Sequence, residues 1–242
     1  MFCVAGSGDR KPDTRGSGRA AMHVVVNAAM SVDGKLASRR REQLAISGPE
    51  DFDRVDRIRA AADGVMVGVG TVLADDPHLT LDVTDRRVQR QRHGRPGNPA
   101  RVVADSTART PLDARILDDE ATTYLLVADA APEDRRTALA DAGAELIVAG
   151  DDRVDLAAGL DRLADAGIER LMLEGGGELI FSAFAAGLVD ELSVYVGSQI
   201  IGGRDAPTLA DGEGFVDDYP ELALDGIERL DDGVVLEYTV AE

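Results

Sequence analysis

Tryptophan is absent from the 242 residues, lysine occurs only as Lys11 and Lys35, and the single cysteine is Cys3. One cysteine excludes an intrachain disulfide and any zinc site built on several thiolates. There is no H-x-E paired with P-C-x-x-C, which excludes zinc-dependent deamination. The three histidines, His23, His78 and His93, show no spacing that suggests a metal, so none is expected. Apolar runs are short, such as Val24 to Val26 and Val65 to Val69. A bilayer span needs about 20 such residues, so the chain reads as soluble and the cytoplasm is the expected compartment.

Positive charge is also scarce. Against 45 acidic residues, 31 of them Asp, stand 24 Arg and 2 Lys, for a net charge of −19. That field repels nucleic acid and anionic membrane, and neither is expected as a partner. Concentrated salt screens the self-repulsion of such a surface, so the composition suits a halophilic cytoplasm. A GC-rich genome would account for the shortage of lysine but not for the excess of acid. With 44% apolar residues, the chain is long enough for one large domain with a real core.

Residues 1–21 are rich in Gly, Arg, Ser and Asp, lack periodicity and have no apolar signal-peptide core; they are expected to be a disordered tail. One domain is expected over 22–242. Within it, 84–99 carries a net charge of +4 with Gly, Pro and few apolar residues, so an exposed basic loop insertion is expected. Elsewhere strands and helices alternate. His23 to Ala29, Val65 to Val69, Arg101 to Asp105, Thr123 to Val127, Ala144 to Ala149 and Leu171 to Glu174 read as strands. Pro49 to Ala62 reads as a helix with Ser47 as N-cap and Phe52, Val55, Ile58 and Ala62 on its inner face. Further helices are expected over 132–142, 155–166 and 178–187. At the end, Glu191 to Val196, Leu222 to Leu230 and Val234 to Val240 are strands without intervening helices, the last two joined at Asp231-Asp232-Gly233. The expected fold is α/β: a mostly parallel sheet flanked by helices, with an antiparallel C-terminal hairpin.

Three turns after strands suit phosphate. Gly68-Val69-Gly70-Thr71 is an incomplete dinucleotide fingerprint, with Leu73 where a glycine is required, and reads equally as a tight strand-to-helix turn. Glu174-Gly175-Gly176-Gly177-Glu178-Leu179 is more telling, because glycine in regular structure costs roughly 0.5–1 kcal/mol relative to alanine; three together make sense where a pyrophosphate meets a helix N-terminus. Asp105-Ser106-Thr107-Ala108-Arg109 offers a serine and a forked cation suited to a 2′-phosphate, or an ordinary surface arginine. After the first strand, Asp33-Gly34 signals a turn, and Lys35, the only lysine of the domain, can hold an anion.

Taken in order, M-S-V-D-G-K-L-A, I-R-A-A-A-D-G-V-M-V-G-V-G-T-V-L-A-D-D-P, V-V-A-D-S, L-E-G-G-G-E-L and G-L-V-D-E-L-S-V-Y-V resemble the riboflavin-pathway reductases. The resemblance, over Met22 to about Val240, is to the archaeal type of 2,5-diamino-6-ribosylamino-4(3H)-pyrimidinone 5′-phosphate reductase. It implies a dihydrofolate-reductase-like fold and NADPH-dependent reduction of a ribosylamino to a ribitylamino group by hydride transfer to a ring-opened imine. It further implies cofactor contacts at Ala29, Thr71, Asp75, Ser106, Thr107, Ala108, Arg109, Gly176, Gly177, Glu178 and Leu179. Substrate contacts are implied at Asn27, Ser47, Arg59, Leu79 and Glu174, with Asp33 and Lys35 as catalytic candidates. Relatives of this fold commonly pair, and the apolar pattern of Gly187 to Val196 with Ile200 and Ile201 suggests the edge of a homodimer. Two other functions fit parts of the pattern: dihydrofolate reductase, with Asp51 as pterin-binding carboxylate, and an NADPH-binding module without turnover.

Overall fold

The computed structural model describes residues 22–42 and 44–241; the expected tail at 1–21 lies outside them. Nine strands form one sheet in the order β5-β4-β3-β2-β6-β1-β7-β9-β8. Strand β1 (His23–Ser31) lies between β6 (Arg170–Leu173) and β7 (Glu191–Gly197), parallel to both. Strands β2 (Gly64–Gly68), β3 (Ala100–Ala104), β4 (Thr123–Val127) and β5 (Ala144–Val148) continue the parallel sheet beyond β6. On the other side, β9 (Gly233–Val240) runs antiparallel to β7 and pairs with β8 (Leu222–Leu230) as the closing hairpin. The expected α/β architecture is therefore what forms. The edge expected at Gly187 to Val196 is not one, because β7 is paired on both sides, with β1 and with β9.

Central strands covered on both faces read as unbroken apolar runs, and Val65, Met66 and Val67 are at most 1% exposed. Two core clusters lie against the sheet. Leu160 and Leu163 of α5 (Leu156–Asp165) and Leu179, Ile180 and Ala183 of α6 (Gly177–Ala185) belong to one; Leu139 of α4 (Glu133–Asp141) and Val69 and Val72 of α2 (Val69–Asp75) belong to the other.

Helix α1 (Pro49–Ala61) departs from its apolar pattern: Phe52 is 59% exposed, and the buried residues are Asp51, Arg54 and Asp56. Ser47 does not cap it. The N-cap is Gly48, and the capping carboxylate is Asp231 of the β8–β9 turn, which accepts from the amides of Glu50 (3.3 Å) and Asp51 (3.0 Å). Glu50 returns the bond by accepting from the Asp231 amide at 3.1 Å, a capping box assembled across the fold. A Cβ on Gly48 would lie 2.6 Å from Asp231 Cγ, so glycine is what lets the cap approach.

The segment 84–99 is not a loop throughout. It begins with α3 (Thr84–Arg92), which docks through its arginines rather than an apolar stripe. Arg86 bonds Asp53 (2.5 Å) and the buried Asp56 (2.6 Å), while Arg90, 4% exposed, donates to the carbonyls of Ala60 (2.8 Å) and Ala62 (2.6 Å) at the end of α1. Burial, reinforced by neighbouring Arg95, pushes the Arg90 guanidinium down to about 10, so it remains charged at neutral pH. Among the described residues no helix is long and apolar enough to cross a membrane.

Candidate active site

The carboxyl ends of β2, β6 and β1 lie side by side, and loops leaving such an edge are where α/β sheets bind ligands. Glu174 at the end of β6 is tied to β2 by its amide, which donates to Met66 O at 2.8 Å. Beyond it, Gly175 and Gly176 both have positive φ, +93° and +85°, a conformation that favours glycine. They lead into α6, whose N-terminus has no side-chain cap.

The two glycine turns face each other. A Cβ placed on Gly176 would lie 3.7 Å from Thr71 Oγ1 and 3.9 Å from the Gly68 amide nitrogen, while positions over Gly70 and Gly175 open onto free space. A side chain at 176 would therefore fill the gap between the turns. Bare backbone, an uncapped helix N-terminus and a threonine hydroxyl form a donor set that fits a diphosphate. Gly177 has a different reason: a Cβ there would overlap Thr208 O and lie 2.8 Å from Asp211 Oδ2, while its carbonyl accepts from the Asp211 amide at 2.9 Å. It seats the 208–211 loop. Glu178 is exposed, Leu179 is in the core, and Asp75 is the exposed last residue of α2.

At the end of β3, the turn is held from within. Asp105, fully buried, accepts from the amide (2.7 Å) and hydroxyl (2.8 Å) of Thr110 through Oδ2, and its Oδ1 has no hydrogen-bond partner among the described residues. Arg135 braces the same turn by donating to the carbonyls of Ala108 (3.0 Å) and Thr110 (2.7 Å). Ala108 is buried with φ +55°. Ser106 Oγ accepts from the Val154 amide at 3.0 Å; Thr107 and Arg109 are exposed. Asp105 and Arg135 were missed as site-builders by sequence reasoning, since neither type marks a turn brace.

Of the residues expected to contact substrate, Arg59 and Glu174 meet in a two-pronged ion pair, Nε–Oε1 2.5 Å and Nη2–Oε2 2.6 Å, and Arg59 Nη1 donates to Thr80 O at 3.3 Å. Burial works against the guanidinium's charge, but Glu174 more than offsets it and raises the Arg59 pKa above its ordinary value. Leu79, 3% exposed, sits nearby in sequence at φ +54°, a strained setting for a branched side chain.

Asn27 lies in a buried network. Arg54 donates to Asn27 Oδ1 (2.9 Å), Ser193 Oγ (2.7 Å) and Asp51 Oδ1 (2.8 Å). Asp51, 1% exposed and committed to Arg54, is closed to the pterin role that dihydrofolate reduction would need. Ala29 is half-buried on β1 opposite Tyr195, and Ser47 is half-buried beside the α1 cap.

The two catalytic candidates hold loops. Asp33 accepts from Ser31 Oγ (2.6 Å) and from the amides of Ile201 (3.0 Å) and Gly202 (2.7 Å). The Ser31 hydroxyl, then the Ile201 amide, hold its carboxyl down to about 2, which unsuits it as a proton donor near neutrality. Lys35 Nζ donates to Ala206 O at 3.3 Å. His78, Asp118 and Glu120 bring three ligand-type atoms within 4.8 Å of one another, a grouping that histidine spacing did not reveal. One Asp118 oxygen is already held by the fully buried guanidinium of Arg101 at 2.8 Å.

Residues 22–236 match the family model described as the RibD C-terminal domain. The chain is 48% identical over 211 residues to the 2,5-diamino-6-ribosylamino-4(3H)-pyrimidinone 5′-phosphate reductase of Archaeoglobus fulgidus, spanning 87% of this chain and 94% of that protein. It is also 48% identical over 221 residues to the reductase of the same name from Methanothermobacter thermautotrophicus, at 90% and 98% coverage. Among solved structures, a pyrimidine reductase-like protein from Corynebacterium diphtheriae superposes with a TM-score of 0.80 at 21% identity, covering 91% of this chain and 92% of that one, a likeness of fold. Opposed glycine turns on a parallel sheet edge, a family match over most of the chain and near-half identity to two archaeal reductases lead to one conclusion: the chain belongs to the RibD C-terminal domain family.

Proposed function

We propose that this protein reduces the ribosylamino group of 2,5-diamino-6-ribosylamino-4(3H)-pyrimidinone 5′-phosphate to a ribitylamino group in riboflavin biosynthesis, with NADPH as the reductant. The observation that carries the reading is the pair of facing turns at Gly68–Thr71 and Gly175–Gly177, whose bare backbone leaves room for a diphosphate. Thr71, Gly176 and the start of α6 would hold that group. The exposed Arg109 beside Ser106 and Thr107 would hold the adenosine 2′-phosphate. When bound, the nicotinamide supplies a hydride to the imine carbon of the ring-opened substrate. The protein positions and desolvates. Glu174, fixed by Arg59 next to the glycine turn, accepts hydrogen bonds from substrate hydroxyls. The imine nitrogen takes its proton from water, since Asp33 stays ionised.

The same reading places the enzyme in the cytoplasm as a homodimer. The sheet's outer strand supports the pairing, because Leu222, Leu224 and Ile227 of β8 are 39%, 52% and 66% exposed. The deciding experiment adds the phosphorylated ribosylaminopyrimidine to protein and NADPH and follows NADPH absorbance and product. Wild type should consume NADPH and yield the ribityl product. Gly176→Val should remain folded and consume none. Cofactor binding without consumption by wild type would replace the enzyme with a sensor.

A further inference from the structure

Away from the glycine turns, one buried guanidinium organises three groups of metal-ligand type. His78 Nε2, a carboxylate oxygen of Asp118 and one of Glu120 all lie within 4.8 Å of one another. They come from two stretches of chain 40 residues apart.

The backbone of each group is held by a buried polar side chain. Arg101, 0% exposed, donates through Nε to His78 O (2.9 Å) and through Nη1 to Ile116 O (2.9 Å) and Asp118 O (3.2 Å). Its Nη2 donates to Asp118 Oδ1 at 2.8 Å, an oxygen that also accepts from the Glu120 amide at 3.0 Å. Asn98, 7% exposed, donates to Glu120 O at 3.0 Å and accepts from the Leu81 amide at 3.1 Å, so it joins the two stretches a second time. Ligands fixed in this way before an ion arrives distinguish a built site from a chance cluster.

With Oδ1 engaged, Asp118 keeps Oδ2 for an ion. That oxygen lies 2.8 Å from His78 Nε2, whereas two ligands of a tetrahedral ion with bonds of about 2.0–2.1 Å stand about 3.3 Å apart. A small opening admits the ion, which replaces the proton that the two atoms share. His78 Nδ1 lies 3.4 Å from Thr80 Oγ1, the kind of partner a coordinating imidazole uses on its other nitrogen. Glu120 is exposed and stands 3.8 Å from Arg87, so its carboxylate has room to close in. The half-exposed His78 and Asp118 leave access for water. Asp119, Asp141 and Glu145 line the hollow beside Asp118, and with Asp118 and Glu120 they outnumber Arg101 and Arg87 and attract a dication.

We propose that His78, Asp118 and Glu120 bind one Zn2+, or an ion with the same preference for mixed nitrogen and oxygen ligands, with water completing the shell. The imidazole sets the site apart from those of Mg2+ and Ca2+, which take oxygen. The ion clips the 78–80 segment to the 118–120 turn. Leu79, in the middle of that segment, sits at φ +54°, and Thr80 O accepts from Arg59 Nη1, so the clip steadies chain that ends on the Arg59–Glu174 pair. The site is structural and does not depend on the proposed reduction.

The test is a calorimetric titration of Zn2+ into the chelator-treated full chain as wild type, H78A, E120Q and H93A, in about 1 M KCl to screen diffuse attraction to the acidic surface. Wild type and H93A should bind one equivalent with equal affinity. H78A and E120Q should each bind about tenfold more weakly or worse, since losing a ligand costs at least what losing a supporting residue does. At a hundredfold excess of Zn2+ over Kd, the thermal midpoint of wild type should rise by about 5 °C, and those of the two variants should move far less. E120Q gives up only the long contact to Arg87 and leaves Arg101 and Asn98 in place, so it decides the matter even if H78A fails to fold. Absence of saturable binding by wild type, or an affinity unchanged in E120Q, would overturn the site, as would a loss in H93A equal to that in H78A.

Discussion

Arg109 and Asp33 show how the surroundings of a side chain divide binding from bracing. Arg109 is exposed at a turn whose shape is held by Asp105 and Arg135, so replacing it removes a donor without disturbing the brace. Arg109→Ala should therefore weaken NADPH much more than NADH, by about tenfold or more for one charge-assisted contact. Dissociation constants for both coenzymes check this, and equal losses would take Arg109 out of the site. Asp33 is the reverse case: all its described contacts are donors from its own and the facing loop. With its folded pKa depressed to about 2, its support for the 199–202 loop is complete above the unfolded value and is lost only as pH falls from about 4 toward 2. A pH–rate profile of Asp33→Asn should keep every limb of the wild-type profile while substrate KM rises; disappearance of a limb would restore Asp33 as a proton donor. The glycines at 175–177 were legible in sequence because no regular element tolerates three of them cheaply. The division of labour between Gly176 and Gly177 was not, since it depends on a loop some thirty residues later.

Helix α1 carries much of the site, and its ends are satisfied by distant chain. The Asp231 cap at its start is separated from it by 180 residues, and Arg90 and Arg95 cover its last carbonyls. Asp231→Ala should cost on the order of 1 kcal/mol, the usual value of an N-cap side chain, with Asp231→Asn costing less because an acceptor remains. Urea denaturation midpoints check the order. Because Asp51 and Arg54 lie in the first turns, the Ala variant should also raise KM more than Asn does. The expectation of Phe52 facing inward fails here for a physical reason: apolar periodicity finds a core-facing stripe, whereas α1 turns charged residues inward to meet Asn27, Ser193 and α3. The same blindness hides α3, a helix with hardly any apolar residues that is docked by arginine–aspartate pairs. Strands β1 to β4 and β6, by contrast, follow from short, largely buried apolar runs.

On the scale of the whole molecule, charge is sorted. The chain is −19 overall; Arg86 is paired with the buried Asp56 where α3 docks on α1, while Arg57 is paired with Asp53 on the exposed surface. Salt acts on these populations differently. Raising KCl from about 0.1 M to about 1 M shortens the screening length from about 10 Å to about 3 Å, which relieves repulsion among exposed carboxylates. It also weakens exposed pairs such as Arg57–Asp53, but such pairs contribute only about 0–1 kcal/mol. Arg54–Asp51, with both side chains under 10% exposed, and the guanidinium of Arg101 are shielded from that screening. The balance favours the folded state, so the thermal midpoint should climb steadily with KCl, and a midpoint that is flat or falls would contradict a surface adapted to brine.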